Sequence, residues 1–509
     1  MTEHYLDRLA RTINENWDQP ALTDFYLTED GTAQDTSRGN HYTYGEMYAE
    51  ILRLEEIFQS LGMQKGDHIA ICGANSAHWA IAYLAVAAYQ GVAVTILHSQ
   101  SPEDIANQID FSDAKALFTD VDLWEELKDR NLPQVEHVIS LENRKILKGK
   151  EIEIHQLQIT NHQCQFIHGN IDDLAMICFT SGSTGVSKGV MLSNRNVSNN
   201  VAQAYTLYPL DTNRTFLSLL PYAHMSGLIG DVLSQIVLGR CSYIFKSFSC
   251  AGDVIYTYML LCPYMVVCVP QMITRLVAKR TDSLDLLSKS CRLIFMGGAK
   301  LESIIENQIM ESGIPLSMIY GQTETGASIS ISPYNQHRLH SCGKIVDGMT
   351  CRIAPNGEIL VKGENVMLGY YKDPEATARK IDKDGWLHTG DKGHLDEDGY
   401  LYVEGRLEQD MIVLPNGENI HPEDIERKIN AMPEVKESVV LARDGKLVAI
   451  VVPQITNDQS PMTNTDLRRM ILRNVNPQLP LYSQLYDVEI TDTPLQKTEK
   501  QTLKRYLYK

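Results

Sequence analysis

The sequence predicts an α/β protein with a large N-terminal region and a small C-terminal α+β domain. Three observations predict it. Helix and strand patterns alternate over the first part of the chain, short strands joined by hairpin turns take over after about residue 340, and a compact helix-and-strand segment follows Arg406. At 509 residues the chain is too long for one ordinary core, and roughly two to four domains are expected. We place the main boundary after Arg406, giving residues 1–406 and 407–509.

"YTYGEMYAEILRLEEIFQSLG" reads as an amphipathic helix. Thr43 and Glu46 have capping-box spacing, and Gly62 ends the helix. "DHIAICGAN" reads as a short buried strand, "SAHWAIAYLAVAAYQG" as a helix, "VAVTIL" as a strand and "SPEDIANQIDFSD" as a helix. This rhythm argues for a mainly parallel sheet covered on both faces. "LAMICFT" and "GVMLS" are strands on either side of a loop, with Ser193 opening a helix after them. Further on, Asn356-Gly357 and Asp398-Gly399 are hairpin turn pairs within "CRIAPNGEILVKG" and "GHLDEDGYLYVEGR". In the last segment, "HPEDIERKINAM" reads as a helix and "VKESVVLAR" and "KLVAIVVP" as strands.

A net charge of -18 argues against sequence-independent nucleic-acid binding and against a polybasic membrane anchor. Two uncharged runs, Trp79–Leu97 and Val254–Met272, fall short of the ~20 strongly apolar residues of a membrane span. The second also contains Pro263 and Pro270. Both are expected to be buried helix and strand. The ten cysteines show no C-x-x-C and no metal-ligand spacing. The first residues, "MTEHYLDRLARTINEN", have no apolar h-region, so no signal peptide and a cytoplasmic location are expected.

The stretch "TSGSTGVSKG", Thr180–Gly189, holds three glycines, five hydroxyl residues and Lys188. Gly182, Gly185 and Gly189 let main-chain amides approach an anion. Thr180, Ser181, Ser183 and Thr184 add hydroxyl donors, and Lys188 adds a point charge. The residue types suit a polyphosphate; they also suit a flexible surface loop. The loop joins two strands and lacks the G-x-x-x-x-G-K-[ST] pattern, so a P-loop NTPase is not expected. No G-x-G-x-x-G opens a helix, which leaves a dinucleotide fold without support. "IYGQTETG", Ile319–Gly326, sets Glu324 among small hydroxyl and turn residues, where a lone carboxylate can hold phosphate-bound Mg2+. "GWLHTGD", Gly385–Asp391, presents a carboxylate able to accept bonds from two ribose hydroxyls.

In this order and spacing, these motifs resemble the adenylate-forming, or AMP-binding, superfamily over almost the whole chain. "LPYAHMSG", "GEILVKGENVMLGYYKDPEAT" and "NGENIHPEDIE" resemble it too. The resemblance implies parallel α/β layers with a distorted small β-barrel and a small mobile C-terminal lid domain. It implies that an acid is joined to AMP, with release of pyrophosphate, before a thiol takes the acyl group. Residues Thr180–Gly185 and Lys188 would cradle the β- and γ-phosphates, and Thr184 and Glu324 would be the Mg2+ partners. Tyr320, beside Gly321, Gln322 and Thr323, would stack on adenine, with Gly298 and Ala299 at its edge. Asp391 would hold the ribose, with Arg406 nearby. His224 is similar to the residue beside the acyl carboxylate, although a structural histidine would read the same in isolation.

The family's catalytic lysine lies in a T-x-x-G-K-x-x-R setting, from which this chain departs. Matching Thr498 and Arg505 puts Thr502 at the lysine position and leaves Lys500 two residues early; matching Thr493 puts Lys497 in register. "GRLEQDMI" likewise departs from the usual hinge, with Glu408, Gln409 and Asp410 as pivot candidates. Asp231 is out of register with the aspartate that holds the amine in amino-acid-activating relatives. The C-terminal stretch "LPLYSQLYDVEITDTPLQKTEKQTLKRYLY" resembles bacterial long-chain fatty acyl-CoA synthetases. The expectation is an ATP-, Mg2+- and coenzyme A-dependent acid–thiol ligase acting on a long-chain fatty acid. The alternatives are an aromatic or medium-chain acid, a carrier-protein acceptor, or a nucleotide- or acyl-AMP-binding protein with impaired adenylation. Any membrane contact is expected to be peripheral.

Overall fold

A computed structural model of the chain describes residues 2–27, 34–35, 39–151, 162–180, 188–207, 215–245, 264–279, 282–299, 301–406, 412–414, 418–420, 422–454, 463–496 and 508. It divides into a larger unit over Met1–His98, Pro102–Phe179 and Gly189–Gly405 and a smaller one made chiefly of Arg406–Lys509.

Two sheets with parallel centres build the larger unit. In the first, Leu316–Tyr320, Leu293–Met296, Met265–Cys268, Thr215–Ser218, Cys241–Phe245 and Pro20–Leu27 lie side by side in that order, all parallel. Short antiparallel strands flank both edges. In the second, Leu174–Thr180, Val92–Thr95, His68–Cys72, Ala116–Thr119 and His137–Ser140 are parallel in that order. Lys188–Ser193 lies beyond Leu174–Thr180 and pairs antiparallel with Gly369–Tyr370. Strands covered on both faces have no polar side, which is why Val92–Thr95 and Ala116–Thr119 are buried at every position.

The helix Ala77–Ala88 is buried almost all round, with Trp79 and Tyr83 among the largest enclosed side chains. Ser76 caps it by accepting from the Trp79 amide. This helix and the strand after it account for the run Trp79–Leu97, and no described helix is long and apolar enough to cross a membrane. In the run Val254–Met272 the described part is the strand Met265–Cys268 and the start of the helix Pro270–Lys279; the rest lies outside the described residues. The helix Tyr44–Ser60 carries the expected capping box between Thr43 and Glu46.

The strands Met349–Ile353, Glu358–Gly363, Leu387–Leu395 and Leu401–Arg406 form a four-stranded layer in which the first and last are edges, a partial barrel. Its turns use Gly357 at φ 85° and Gly399 at φ 81°, conformations that favour glycine. In the smaller unit, Val435–Arg443 and Lys446–Pro453 form a hairpin through Asp444-Gly445, and Leu485–Ile490 adds in parallel. The helices Pro422–Asn430 and Asn464–Val475 bury Ile425, Ile429, Ile471 and Val475 against it, an α+β arrangement.

Away from the strand ends that gather the motif residues, one buried charge cluster ties the edge of the first sheet. Glu306, 2% exposed, receives His337 Nε2 at 2.8 Å, the His340 amide at 2.8 Å and His340 Nδ1 at 2.9 Å. Burial pushes its carboxyl up, but the bonds from His337 and the His340 amide outweigh this and hold it below its ordinary 4.5. A depressed carboxylate stabilises the fold above the unfolded value and loses that contribution as pH falls through the folded one. Glu306→Gln is therefore expected to cost about 3 kcal/mol at neutral pH. In urea unfolding, the gap from the parent should narrow as pH drops below 4.5.

Candidate active site

The parallel strands of the first sheet end at Ser218, Cys268, Met296 and Tyr320, so the loops that follow share one edge. In an open α/β sheet this carboxyl edge is where ligands bind. Most of the described motif residues sit there.

After Leu293–Met296 the chain turns at Gly298, φ 85°, followed by half-buried Ala299. A Cβ on Gly297 would lie 2.2 Å from Ile319 Cγ2, so this turn passes directly over the neighbouring strand end. After Leu316–Tyr320 come Gly321, Gln322 and a 3-10 turn over Thr323–Thr325. A Cβ on Gly321 would meet the Ala327 carbonyl oxygen at 1.8 Å, which explains why the motif has glycine there. Asn200, on the helix Asn194–Leu207, accepts from the Ser328 amide at 3.0 Å and donates to the Thr325 carbonyl at 3.2 Å. The turn is thereby pinned on its far side.

Glu324 is half-buried and held twice. Its carbonyl accepts from the Met367 amide at 2.9 Å, and its Oε1 accepts from the Tyr370 hydroxyl at 2.8 Å. Burial first, and then the adjacent carboxylate, raise the Tyr370 phenol far above its ordinary range, so it stays a donor.

Asp391 sits 6% exposed on the strand Leu387–Leu395. The pairing with Glu358–Gly363 is irregular there, Glu358 facing Lys392 while Leu360 faces His388. Such a bulge re-aims side chains. Asp391 Oδ2 accepts from the Tyr320 hydroxyl at 2.6 Å and from Gln322 Nε2 at 2.8 Å. Gln322 Nε2 also donates to the Thr389 carbonyl at 2.9 Å. Tyr320, Gln322 and Asp391 thus form one hydrogen-bonded group.

His224 lies on the loop after Thr215–Ser218. Its ring is half-buried and has no polar partner among the described residues, and burial lowers its pKa, which favours the neutral imidazole. The loop itself is tightly held. Asn75 donates to the Leu220 carbonyl at 2.7 Å and accepts from the Tyr222 amide at 2.9 Å. Thr95 Oγ1 and Cys178 Sγ, both from the second sheet, donate to the Ala223 carbonyl at 3.2 and 3.4 Å. Burial pushes the Cys178 thiol up to about 11, and the Glu324 carboxylate adds to this. Asp231 is fully buried on the π-helical turn Gly227–Leu233, and its carboxylate faces the backbone of the His224 loop.

Thr180 ends the strand Leu174–Thr180 and Lys188 begins Lys188–Ser193. Ser181, Gly182, Ser183, Thr184 and Gly185 lie outside the described residues, as do Lys497, Lys500, Glu408, Gln409 and Asp410. Arg406 ends the strand Leu401–Arg406. Sequence reasoning missed Asn75, Thr95, Cys178, Asn200 and the contact of Tyr370 with Glu324. Tyr370 stood in a motif that carried no role, and the other four gave no signal.

The profile of the family described as AMP-binding enzyme matches residues 9–371. The chain belongs to this family. The family's C-terminal domain matches residues 409–508. The AMP-binding enzyme is 29% identical to 2-succinylbenzoate–CoA ligase of a Geobacillus strain, over 83% of both chains. It is 25% identical to 4-coumarate–CoA ligase 3 of Oryza sativa subsp. japonica, over 90% of this chain and 85% of the relative. Indoleacetate–CoA ligase of Aromatoleum aromaticum is 32% identical over 55% of this chain and 57% of its own. Among solved structures, a double mutant of o-succinylbenzoate CoA synthetase from Bacillus subtilis, bound with its product analogue, superposes with a TM-score of 0.77 at 25% identity, covering 99% of this chain and 98% of that one. The amide bond synthetase of Marinactinospora thermotolerans shares the fold, with a TM-score of 0.79 at 22% identity over 98% of both chains.

The close approach at Gly321 gives a direct test. Gly321→Ala in the AMP-binding enzyme is expected to cost about 2 kcal/mol in chemical unfolding, because the Ala327 carbonyl must move. A variant as stable as the parent would mean that the turn accommodates a side chain.

Proposed function

We propose that this AMP-binding enzyme is an acid–CoA ligase that activates an aryl carboxylic acid as acyl-AMP. The reading is supported by a His224 ring without a polar partner among the described residues and a doubly held Glu324, on loops that leave the same edge of the first sheet. An open imidazole and a fixed carboxylate suit one substrate acid and one metal-bound phosphate.

In the first half-reaction the substrate carboxylate oxygen attacks the α-phosphorus of ATP and the bond to pyrophosphate breaks. In the second, the thiol sulfur of coenzyme A attacks the acyl carbonyl, AMP departs and the thiol proton is lost. Positioning and charge stabilisation dominate such a phosphoryl transfer. His224 meets the acid carboxylate. The Tyr320, Gln322 and Asp391 group takes the adenosine, with Gly298 and Ala299 at the base edge, Gly321 and Thr323 in the turn beneath it and Arg406 nearby. Thr180–Gly185 and Lys188 cradle the phosphates, and Lys500 or Lys497 bridges carboxylate and α-phosphate.

Among the described residues no group of three His, Cys, Asp or Glu forms a metal cage. One carboxylate with an ordered partner fits Mg2+, which prefers phosphate, water and one or two protein oxygens. Glu324, with Thr184, would hold it, and the ion would neutralise charge on the departing pyrophosphate.

The relatives named for succinylbenzoate, coumarate and indoleacetate favour an aryl acid over the long-chain fatty acid expected from the C-terminal sequence. Exchange of labelled pyrophosphate into ATP, over a panel of aryl and fatty acids with and without CoA, tests the choice. An aryl acid should drive exchange, with thioester forming only when CoA is present. Exchange driven by fatty acids alone would restore the long-chain reading. Acyl-AMP that never passes to CoA would point to a carrier-protein thiol. No exchange from any acid would leave a binding protein with impaired adenylation. Within this reading, Glu324→Gln is expected to lower exchange about a hundredfold. Tyr370→Phe should raise the Mg2+ concentration for half-maximal exchange about tenfold, with nucleotide affinity in EDTA unchanged.

A further inference from the structure

The loop 219–224 buries Leu219, Leu220, Tyr222 and Ala223, yet it belongs to no helix or strand. Its amides and carbonyls need partners, and side chains supply them. Asp231 makes the largest contribution. Its Oδ2 accepts from the Leu219 amide at 2.7 Å, the Leu220 amide at 2.8 Å and Ser218 Oγ at 3.3 Å. Asp231 is 0% exposed, and its Oδ1 is buried with no hydrogen-bond partner. A carboxyl in such a place is costly, and burial pushes it up to about 8 against the pull of those hydrogen bonds.

The backbone shows how it gets there. Gly227–Leu233 is a π-helical turn, a rare form concentrated at functional sites. Its wider winding turns Asp231 back toward the end of Thr215–Ser218. The turn also needs Gly227, where a Cβ would lie 2.1 Å from the Pro221 carbonyl oxygen. His224 is therefore bracketed: its own amide donates to the Pro221 carbonyl at 3.1 Å, and its carbonyl accepts from the Leu228 amide at 2.9 Å. Asp231 fixes the start of this bracket and Asn75 its middle.

We propose that Asp231 is a positioning residue for His224, fixing the ring that meets the acid carboxylate by clamping the amides of Leu219 and Leu220. The assignment rests on the acid–CoA ligase reading for its catalytic consequence, but its structural half stands alone. Asp231 is 0% exposed and its Oδ2 is committed to the backbone, so it does not face a substrate amine.

Asp231→Leu keeps the branched shape in a larger volume and removes the acceptor; Asp231→Asn keeps both the size and an acceptor oxygen. In pyrophosphate exchange, the leucine variant should raise KM for the acid roughly tenfold or more, as expected of a small misplacement, with KM for ATP within about twofold. Asparagine should restore most of the acid affinity. Asn75→Ala should show the same acid-selective change, and it decides the case if the leucine variant does not fold. Independently of turnover, the His224 imidazole, followed by 15N resonance through a pH titration, should titrate higher in Asp231→Leu or Asn75→Ala than in the parent, because a released ring loses its burial. A wild-type protein with no acid-driven exchange would sink the ligase reading while the titration still decides the positioning role. Folded variants with unchanged acid KM and an unchanged His224 titration would overturn the inference. So would parallel rises in acid and ATP KM.

Discussion

The site depends on one constraint: a buried backbone polar group must find a partner, and loops at the carboxyl ends of parallel strands have no ladder to provide one. Here the partners are side chains. Asp231, Asn75, Thr95 and Cys178 serve the loop around His224, and Asn200 serves the turn after Glu324. Each bond satisfies a backbone amide or carbonyl and, in the same act, fixes the segment that carries a residue of the candidate site. An unsatisfied buried group costs about 1–3 kcal/mol, so a loop held at several points has few alternative paths.

The second constraint is space. The turns cross close over neighbouring strands, and glycine stands where a Cβ would collide. At Gly227 and Gly321 the obstacle is a carbonyl oxygen, which cannot step aside as a flexible side chain would. Motif glycines are often read as phosphate-facing. These two are demanded by the protein's own backbone, Gly227 by the Pro221 carbonyl and Gly321 by the Ala327 carbonyl.

How much of this could be read beforehand follows from the range of the signals. Local ones were legible: the capping box of Thr43 and Glu46, the glycine turns at Gly357 and Gly399, and the uniformly apolar strands all act within a few residues. The motifs located Tyr320, Glu324, Asp391 and His224 because their residue types carry chemistry. The supports were not legible. Asn75 reaches Leu220 across 145 residues and Cys178 reaches Ala223 across 45, and neither pattern is periodic. The π-helical turn was hidden because its extra residue leaves no mark in an apolar stretch. Asp231 was judged by its offset from a family position, whereas what its carboxylate faces decides its role.

Charge then imposes an order on the proposed chemistry. The chain carries a net charge of -18, and its site places Glu324 and Asp391 where ATP, itself a polyanion, is proposed to bind. The two carboxylates differ in how they can meet it. Asp391 already accepts from Tyr320 and Gln322 on one oxygen, an arrangement of neutral donors that suits neutral hydroxyls. Glu324 accepts from the Tyr370 hydroxyl on Oε1 and would repel a phosphate approaching alone. A divalent cation between them converts that repulsion into attraction, which makes metal and nucleotide a joint ligand of this turn. The neutral imidazole of His224 fits the same order: it can donate to an incoming carboxylate without adding a charge that would tie the acid down before the α-phosphorus is reached.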